Sequence, residues 1–160
     1  MLSEVKLDFV IDGLQYANWS EKIFEQMREG NVDAVHATIT YHENFRETVL
    51  QIEKWNRFFE QFPNLIFQGK TAEDLKLARE TGRTAIFFGS QNPSCIEDDI
   101  GLVEILHTLG VRFMQLTYNN QSLLATGCYE AEDAGLTRMG REVVSEMNRV
   151  GLVVDMSHSA

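Results

Sequence analysis

Polar and titratable side chains recur in this sequence directly after its short apolar runs. His158 follows the apolar run 152–156, Gln91 follows the run 84–89, and Tyr118 and Asn119 follow the run 111–117. A neutral imidazole at the end of a strand can bind Zn²⁺ or act as a general base. His158 is therefore the strongest single candidate for a metal ligand or catalytic base, and a hydrogen-bonded structural histidine is the alternative.

The elements that position these residues alternate between β-rich and amphipathic helical segments. Strands are predicted at 7–12, 32–40, 65–68, 84–89, 111–117 and 152–156, and helices at 20–30, 44–61, 71–81, 98–109 and 138–150. Strand and helix in regular alternation favour parallel strands joined by right-handed crossovers, whose carboxyl ends meet at one edge. The polar strand ends are then expected to line one pocket above an apolar interior.

The order of elements alone fits both an open doubly wound sheet and a closed barrel. No GxGxxG or GxxxxGK[ST] loop follows any predicted strand, which disfavours a nucleotide-binding open sheet. A full (β/α)₈ barrel needs about 250 residues, and the chain has 160. We therefore expect an α/β fold in which residues 1–160 form a single domain, the N-terminal part of a (β/α)₈ TIM-type barrel. The chain would supply about the first six βα units, and the remaining units would have to come from elsewhere.

Composition restricts the partners and the compartment. The net charge is -10, from acidic residues spread along the chain, so nucleic acid is not an expected partner. Cys95 and Cys128 form no CxxC pair, which indicates reduced thiols in a cytoplasmic protein. We expect no signal peptide and no membrane span, because no basic region precedes an apolar one and no apolar run approaches about 20 residues.

Several other side chains have a structural interpretation and a chemical one. His36, between Val35 and Ala37, would face either the barrel interior or the helix layer, and we favour a structural role for it. His107 falls in a predicted helix. His42 lies at a strand end, and its role is left open. Cys128 has no histidine or aspartate partner nearby in sequence, so a nucleophilic role is the weaker interpretation.

Four blocks of the sequence resemble the renal (membrane) dipeptidase family. They lie at 9–13, 101–119, 135–151 and 155–159, and the last two carry the most specific match. The resemblance implies a (β/α)₈ barrel that holds two zinc ions and hydrolyses dipeptides with a metal-bound hydroxide. Two metals can together activate water and polarise the scissile carbonyl.

The same resemblance implies that much of the metal site is altered. Leu14 and Tyr16 stand where the family has a histidine and an aspartate ligand, and Gln91 stands in place of its bridging glutamate. Tyr118 stands in place of a substrate-contacting histidine, whereas His158 matches a zinc histidine. Losing two carboxylates removes about two negative charges that would offset metal charge. One zinc ion, or none, is then expected instead of two, with His158 and Gln91 as its ligands.

The resulting expectation is a metal-dependent hydrolase of a small amide or dipeptide-like substrate. Water held near His158 and Gln91 would attack the carbonyl, and Tyr118 and Asn119 would contact the substrate. The alternative is a catalytically weak or inactive binding or assembly protein with a degenerate metal site, and a non-hydrolytic enzyme such as a lyase is a third possibility. The expected partner is a small-molecule substrate, with a homo-oligomer left open.

Overall fold

The computed structural model of the chain describes residues 9–160. In chain order, its elements are β1 (Ile11–Gln15), α1 (Glu21–Glu29), β2 (Ala34–Thr40), α2 (Phe45–Gln61), β3 (Ile66–Gln68), α3 (Glu73–Thr81), β4 (Thr84–Ser90), a 3₁₀ turn (Pro93–Ile96), α4 (Gly101–Thr108), β5 (Val111–Gln115), α5 (Arg138–Val150) and β6 (Val153–Asp155). The sequence predicted every strand and α-helix in this order. Residues 7 and 8 of the first predicted strand lie outside the described residues.

All six strands pair in parallel within one sheet, as predicted. The sheet runs in the order β1-β2-β4-β5-β6, and β3 lies off this path because it pairs with β4 alone. β3 occupies only the first part of one edge of β4, at Thr84–Ile86, and β5 takes the same edge from Phe88 onwards. The path through the sheet therefore contains five strands, and β3 fills the bottom of one edge.

The two faces of the sheet have different surroundings. Val35, Ala37 and Ile39 of β2 are buried in the main hydrophobic core, with residues of the helices. Ala34 packs in a second, smaller cluster with residues of α3 and β4. Because successive side chains of a strand point to opposite faces, His36 lies on the face opposite the helix-packed core. This is the inner face of the curved sheet.

Side chains at the helix N-termini explain where several helices begin. Asn44 and Glu47 form a complete capping box at the start of α2. Thr137 caps α5 by accepting from the backbone N–H of Gly140. Before α3, Asp74 accepts from the backbone N–H of Thr71, and the Asp74 N–H donates to the Thr71 carbonyl.

The helix predicted at 98–109 begins later, at Gly101, after the separate 3₁₀ turn. Asp99 accepts from the backbone N–H of Gly101, and Glu97 accepts from that of Phe45 at the start of α2. Glu97 and Asp99 therefore each accept from a backbone N–H at the start of a helix. Glu97 has a φ of 51°, and this turn separates the two helical segments.

The aromatic residues of α2 pack in or against the main hydrophobic core. Trp55 is 3% exposed and contacts Phe24, Phe58, Phe59 and Phe88. In the part of the chain that the structure describes, no helix has both the length and the apolar character needed to cross a bilayer.

Gly140 should not tolerate a larger side chain. A Cβ at this position would overlap the backbone carbonyl of Leu124 in the loop that packs on α5. Helix propensity alone would make alanine better than glycine by about 1 kcal/mol. We expect Gly140→Ala to lower the free energy of unfolding by about 1–3 kcal/mol instead, because backbone atoms have to move. Urea denaturation measures this, with Ser145→Ala on the exposed face of α5 as control; a stabilised Gly140→Ala variant would contradict the packing.

Asp33 should contribute a pH-dependent part of the stability. Its buried carboxylate accepts from the backbone N–H of Val10 and pairs with the Arg79 guanidinium. Burial alone raises the pKa of Asp33, but the contacts with Arg79 and Val10 outweigh it and hold the pKa below its usual value. The stabilisation is therefore present above the unfolded-state pKa, and is lost as the pH falls through the lower folded-state pKa.

We expect Asp33→Asn to cost about 1–3 kcal/mol at neutral pH and to flatten the stability profile below about pH 4. Urea midpoints across an acidic pH series measure both effects. Glu25→Gln on α1, an exposed carboxylate, is the matched control. An Asp33→Asn profile that runs parallel to the parent's would rule out this contribution.

Candidate functional site

The carboxyl ends of β2, β4, β5 and β6 meet at one edge, because the strands are parallel neighbours. A group of side chains that we call the strand-end cluster lies there. Its members are Tyr41, Gln91, Tyr118, Asn119 and His158. The four residues predicted for the site are all members, and Tyr41 connects two of them.

Gln91 is held from two sides. Its Nε2 donates to Thr38 Oγ1 at 2.7 Å and to Tyr41 Oη at 3.0 Å, and the side chain is 3% exposed. Both amide protons are thus used within the protein, which leaves Oε1 as the atom for a ligand. Burial raises the pKa of Tyr41, with the neighbouring Tyr118, Tyr16 and Glu43 adding to the rise. Its phenol stays protonated and keeps a proton to donate.

Aromatic rings link the members of the cluster. The Tyr118 ring lies 5.3 Å from the Tyr41 ring and 4.6 Å from the His158 ring, measured between centroids. Tyr16 extends the row by an edge-to-face contact with Tyr41 at 5.0 Å. Edge-to-face contacts fix the relative orientation of the rings. His158 and Gln91 are thereby connected through Tyr118 and Tyr41.

The imidazole of His158 is oriented by Asn119. Nδ1 of His158 lies 2.7 Å from Asn119 Oδ1, and in the neutral tautomer that donates this hydrogen bond Nε2 is the acceptor. The His158 backbone carbonyl accepts from Thr117 Oγ1 and from the Cys128 N–H. Asn119 has a φ of 64°, and this turn brings its amide back towards His158.

Asp155 shapes the turn that leads to His158. Its carboxylate accepts from the backbone N–H of Ser157 and from Gln115 Nε2. Burial raises the pKa of Asp155, but hydrogen bonds from Ser157 and Gln115 reverse this and lower it. Asp155 is therefore ionised at neutral pH and anchors the end of β6.

His36 faces the barrel interior, which decides between its two predicted orientations. The ring stacks on Phe113 at 4.5 Å between centroids, and Nδ1 donates to the Gly13 carbonyl at 2.8 Å. Nε2 lies against Gly89, where a Cβ would overlap it. Burial lowers the pKa of His36, despite the opposing Gly13 contact and the Asp155 charge, so the ring is neutral. These contacts support the structural role that we favoured.

The remaining chemical candidates lie apart from the cluster or at its margin. His42 is exposed, accepts from Asn92 Nδ2 at Nδ1 and lies 5.6 Å from the Tyr118 ring. His107 lies on α4. The Cys128 thiol is exposed, and its Sγ lies 3.9 Å from Asn119 Oδ1, the same oxygen that contacts His158 Nδ1. The Cys95 thiol is buried, and burial raises its pKa to about 11.

Sequence reasoning missed Thr38, which lies inside the predicted strand and not at its end. Its signal was the two-residue alternation of β2, which places Thr38 on the same face as His36. Tyr41 follows β2 directly and was not predicted as a site residue. Its link to Gln91 depends on pairing between β2 and β4, which sequence alone does not specify.

A paired-zinc centre does not fit the described residues. Within residues 9–160, no three histidine, cysteine, aspartate or glutamate side chains come together as a metal site. Tyr16 is 66% exposed and packs on Tyr41 where an aspartate ligand was expected from the resemblance. The hydrogen bonds of these two side chains leave His158 Nε2 and Gln91 Oε1 without a partner among the described residues.

Sequence comparisons agree with this fold. The sequence model described as "Membrane dipeptidase (Peptidase family M19)" matches residues 12–160. Dipeptidase tcpJ of Claviceps purpurea is 30% identical over 128 residues, which are 79% of this chain and 29% of that protein. Dipeptidase verJ of Clonostachys rogersoniana is 31% identical over 121 residues, 74% of this chain and 31% of that protein. The chain thus spans about a third of the length of these curated relatives.

Solved structures with the same fold are also about twice as long as this chain. An amidohydrolase from Pseudomonas aeruginosa superposes with a TM-score of 0.92 at 43% identity, covering 94% of this chain and 46% of that one. A metallopeptidase from Rhodobacter sphaeroides, solved with a phosphinate mimic of the dipeptide L-Ala-D-Ala, gives 0.78 at 16% identity, covering 94% of this chain and 59% of that one. The second likeness concerns the fold alone. With the family match over nearly all of its length, the chain belongs to the membrane dipeptidase family, peptidase family M19.

Proposed function

We propose that the protein is a dipeptidase-like hydrolase that cleaves an amide bond in a small substrate with a water molecule held at the strand-end cluster. Membership of a dipeptidase family supports the class of reaction. The observation that carries the assignment of the site is the His158–Asn119 hydrogen bond, which leaves His158 Nε2 as a free acceptor. A histidine fixed in one tautomer by a partner on its other nitrogen suits a ligand or a general base.

In this proposal His158 Nε2 accepts the proton of the attacking water, and Gln91 Oε1 orients that water. The water oxygen forms a bond to the substrate carbonyl carbon, the carbon–nitrogen bond breaks, and the proton passes to the leaving amine. The Tyr118 hydroxyl and the Asn119 amide nitrogen are donors for the developing oxyanion. Preorganised donors of this kind stabilise the transition state because they need little rearrangement as charge develops.

A zinc ion held by His158 Nε2 and Gln91 Oε1 would occupy the Nε2 lone pair, so it would activate the water as a Lewis acid in place of His158 acting as the general base. The proposal includes at most one such ion, and its remaining ligands would lie outside residues 9–160. The proposal also requires further barrel units, since solved relatives of the same fold are about twice as long.

A second candidate is a binding or assembly protein with little or no catalytic activity. It is favoured by Tyr16, which packs edge-on against Tyr41 instead of providing a ligand. It is also favoured by the absence, within the described residues, of a group of three strong metal ligands.

His158→Ala tests the hydrolase. We expect it to lower kcat/KM on a dipeptide panel by about 10²–10⁴, the usual contribution of a positioned acid–base group. The matched control is His107→Ala on α4, which should leave turnover unchanged. Unchanged turnover in His158→Ala would remove this histidine from the mechanism.

Metal analysis of the same preparations separates the two candidates. We expect no more than one zinc ion per chain, and His158→Ala should weaken its binding. Two tightly bound ions per chain would contradict the altered centre. No bound metal, together with no hydrolysis across the panel, would favour the binding protein.

A further inference from the structure

His42 lies just after the carboxyl end of β2, and it has no role in the proposed hydrolysis so far. The pairing of β2 with β4 brings this histidine beside Asn92. Thr40 and Ser90 form the last register pair of the two strands, and His42 and Asn92 each follow two residues later. The amide nitrogen Nδ2 of Asn92 lies 3.1 Å from His42 Nδ1. One ring nitrogen of His42 is thus occupied by a neighbour within the protein.

The side chain of Asn92 is held in one orientation. Asn92 is the N-cap of the 3₁₀ turn, and its Oδ1 accepts from the backbone N–H of Ser94 at 3.3 Å. Because Oδ1 is used at the turn, Nδ2 is the atom that faces His42, and an amide nitrogen can only donate. In the neutral tautomer that accepts this hydrogen bond, His42 Nε2 carries the proton.

His42 and His158 therefore present opposite groups at Nε2. Asn119 offers an oxygen to His158 Nδ1, so the neutral ring that donates there has a lone pair at Nε2. Asn92 offers an N–H to His42 Nδ1, so the neutral ring that accepts there has an N–H at Nε2. Neither Nε2 atom forms a hydrogen bond within residues 9–160. One histidine offers an acceptor to a ligand, and the other offers a donor.

Both imidazoles contact the same tyrosine ring. The Tyr118 ring lies 4.6 Å from the His158 ring and 5.6 Å from the His42 ring, measured between centroids. His42 is exposed, so a substrate at the strand-end cluster can reach its ring. A preorganised donor stabilises an oxyanion as its charge develops. A neutral imidazole N–H is sufficient for this, because the hydrogen bond shares the proton without transferring it.

We propose that His42 is a further catalytic residue, whose Nε2–H donates a hydrogen bond to the oxygen of the scissile carbonyl. As the water oxygen adds to the carbonyl carbon, His42 Nε2–H and the Tyr118 hydroxyl hold the oxyanion that forms. His42 keeps its proton throughout. Asn92 is a positioning residue, because it selects the tautomer of His42. This inference rests on the proposed hydrolysis for the reaction, whereas the tautomer of His42 does not depend on turnover.

Nitrogen NMR of the parent protein tests the two tautomers directly. Long-range ¹H–¹⁵N correlation spectra at about pH 8, above the ordinary histidine pKa of about 6.5, distinguish protonated from unprotonated ring nitrogens. We expect the proton at Nε2 in His42 and at Nδ1 in His158, with signals assigned from His42→Gln and His158→Ala. Asn92→Ser keeps a capping oxygen but lacks the amide N–H, so it should give His42 a mixture of tautomers. A proton at Nδ1 of His42 in the parent, or an unchanged His42 spectrum in Asn92→Ser, would overturn the proposal.

Kinetics test the catalytic role. We expect His42→Ala to lower kcat on a dipeptide panel by about 10²–10³, the usual effect of removing one oxyanion donor, with little change in KM. His42→Gln keeps a side-chain N–H and should recover about tenfold of this loss. His107→Ala, the same replacement on α4, is the control and should turn over as the parent does. Circular dichroism of each variant checks folding, and His42 is exposed, so its replacement leaves the core intact. Unchanged kcat in His42→Ala would contradict the role.

Binding of a phosphinate mimic of a dipeptide separates this inference from the proposed hydrolysis. The phosphinate oxygens resemble the oxyanion that forms at the scissile carbonyl, and calorimetry measures the affinity without turnover. We expect His42→Ala to bind the phosphinate about tenfold more weakly than the parent, and His107→Ala to bind it equally well. A parent that cleaves no dipeptide but shows this His42-dependent binding would refute the hydrolase and support the donor. No phosphinate binding by the parent, or equal affinity in His42→Ala, would overturn this proposal even if dipeptides are cleaved.

Discussion

The pairing of β2 with β4 is the interaction on which the rest of the structure depends. β4 also pairs with β3 and β5, so four of the six described strands are joined through it. The register between β2 and β4 places Thr38 beside Gly89, and it brings Gln91 to Thr38 and Tyr41. A shift by one residue would turn these side chains to the other face of the sheet. The functional edge and the core are thus set by the same register.

On the inner face of the sheet, a layer of packed residues lies directly below the polar residues of the strand ends. His36, stacked on Phe113 and bonded to Gly13, joins β1 to its neighbours beneath the strand ends. Gly89 permits this because any side chain there would occupy the place of the His36 ring. Above this layer, Gln91 Oε1 and His158 Nε2 form no hydrogen bond with a described residue. His36 lies buried below the strand ends with no hydrogen-bond partner at Nε2 among the described residues, whereas His158 lies at the strand ends with Asn119 at its Nδ1.

At one side of the strand-end cluster, packed aromatic side chains stand where the family resemblance led us to expect polar site residues. Tyr16, Tyr41 and Tyr118 form a row of edge-to-face contacts that leads to His158. Two of these positions are those where the family resemblance led us to expect an aspartate ligand and a histidine. Tyrosine side chains carry no charge at neutral pH, so this side of the site offers hydroxyl donors instead of strong metal ligands.

The sequence by itself determined the elements, their parallel arrangement and the edge at which polar residues gather. These follow from local patterns: apolar periodicity, helix-capping residues and the polar residue types after each strand. It also placed His158, Gln91, Tyr118 and Asn119 at one edge of the sheet, through the rule that parallel strands end together. Tertiary structure alone decided that β3 leaves the path of the sheet, that His36 faces inward, and that Tyr41 and Thr38 hold Gln91. Each of these depends on which strands pair and in what register, and residues far apart in sequence carry no local pattern for that choice.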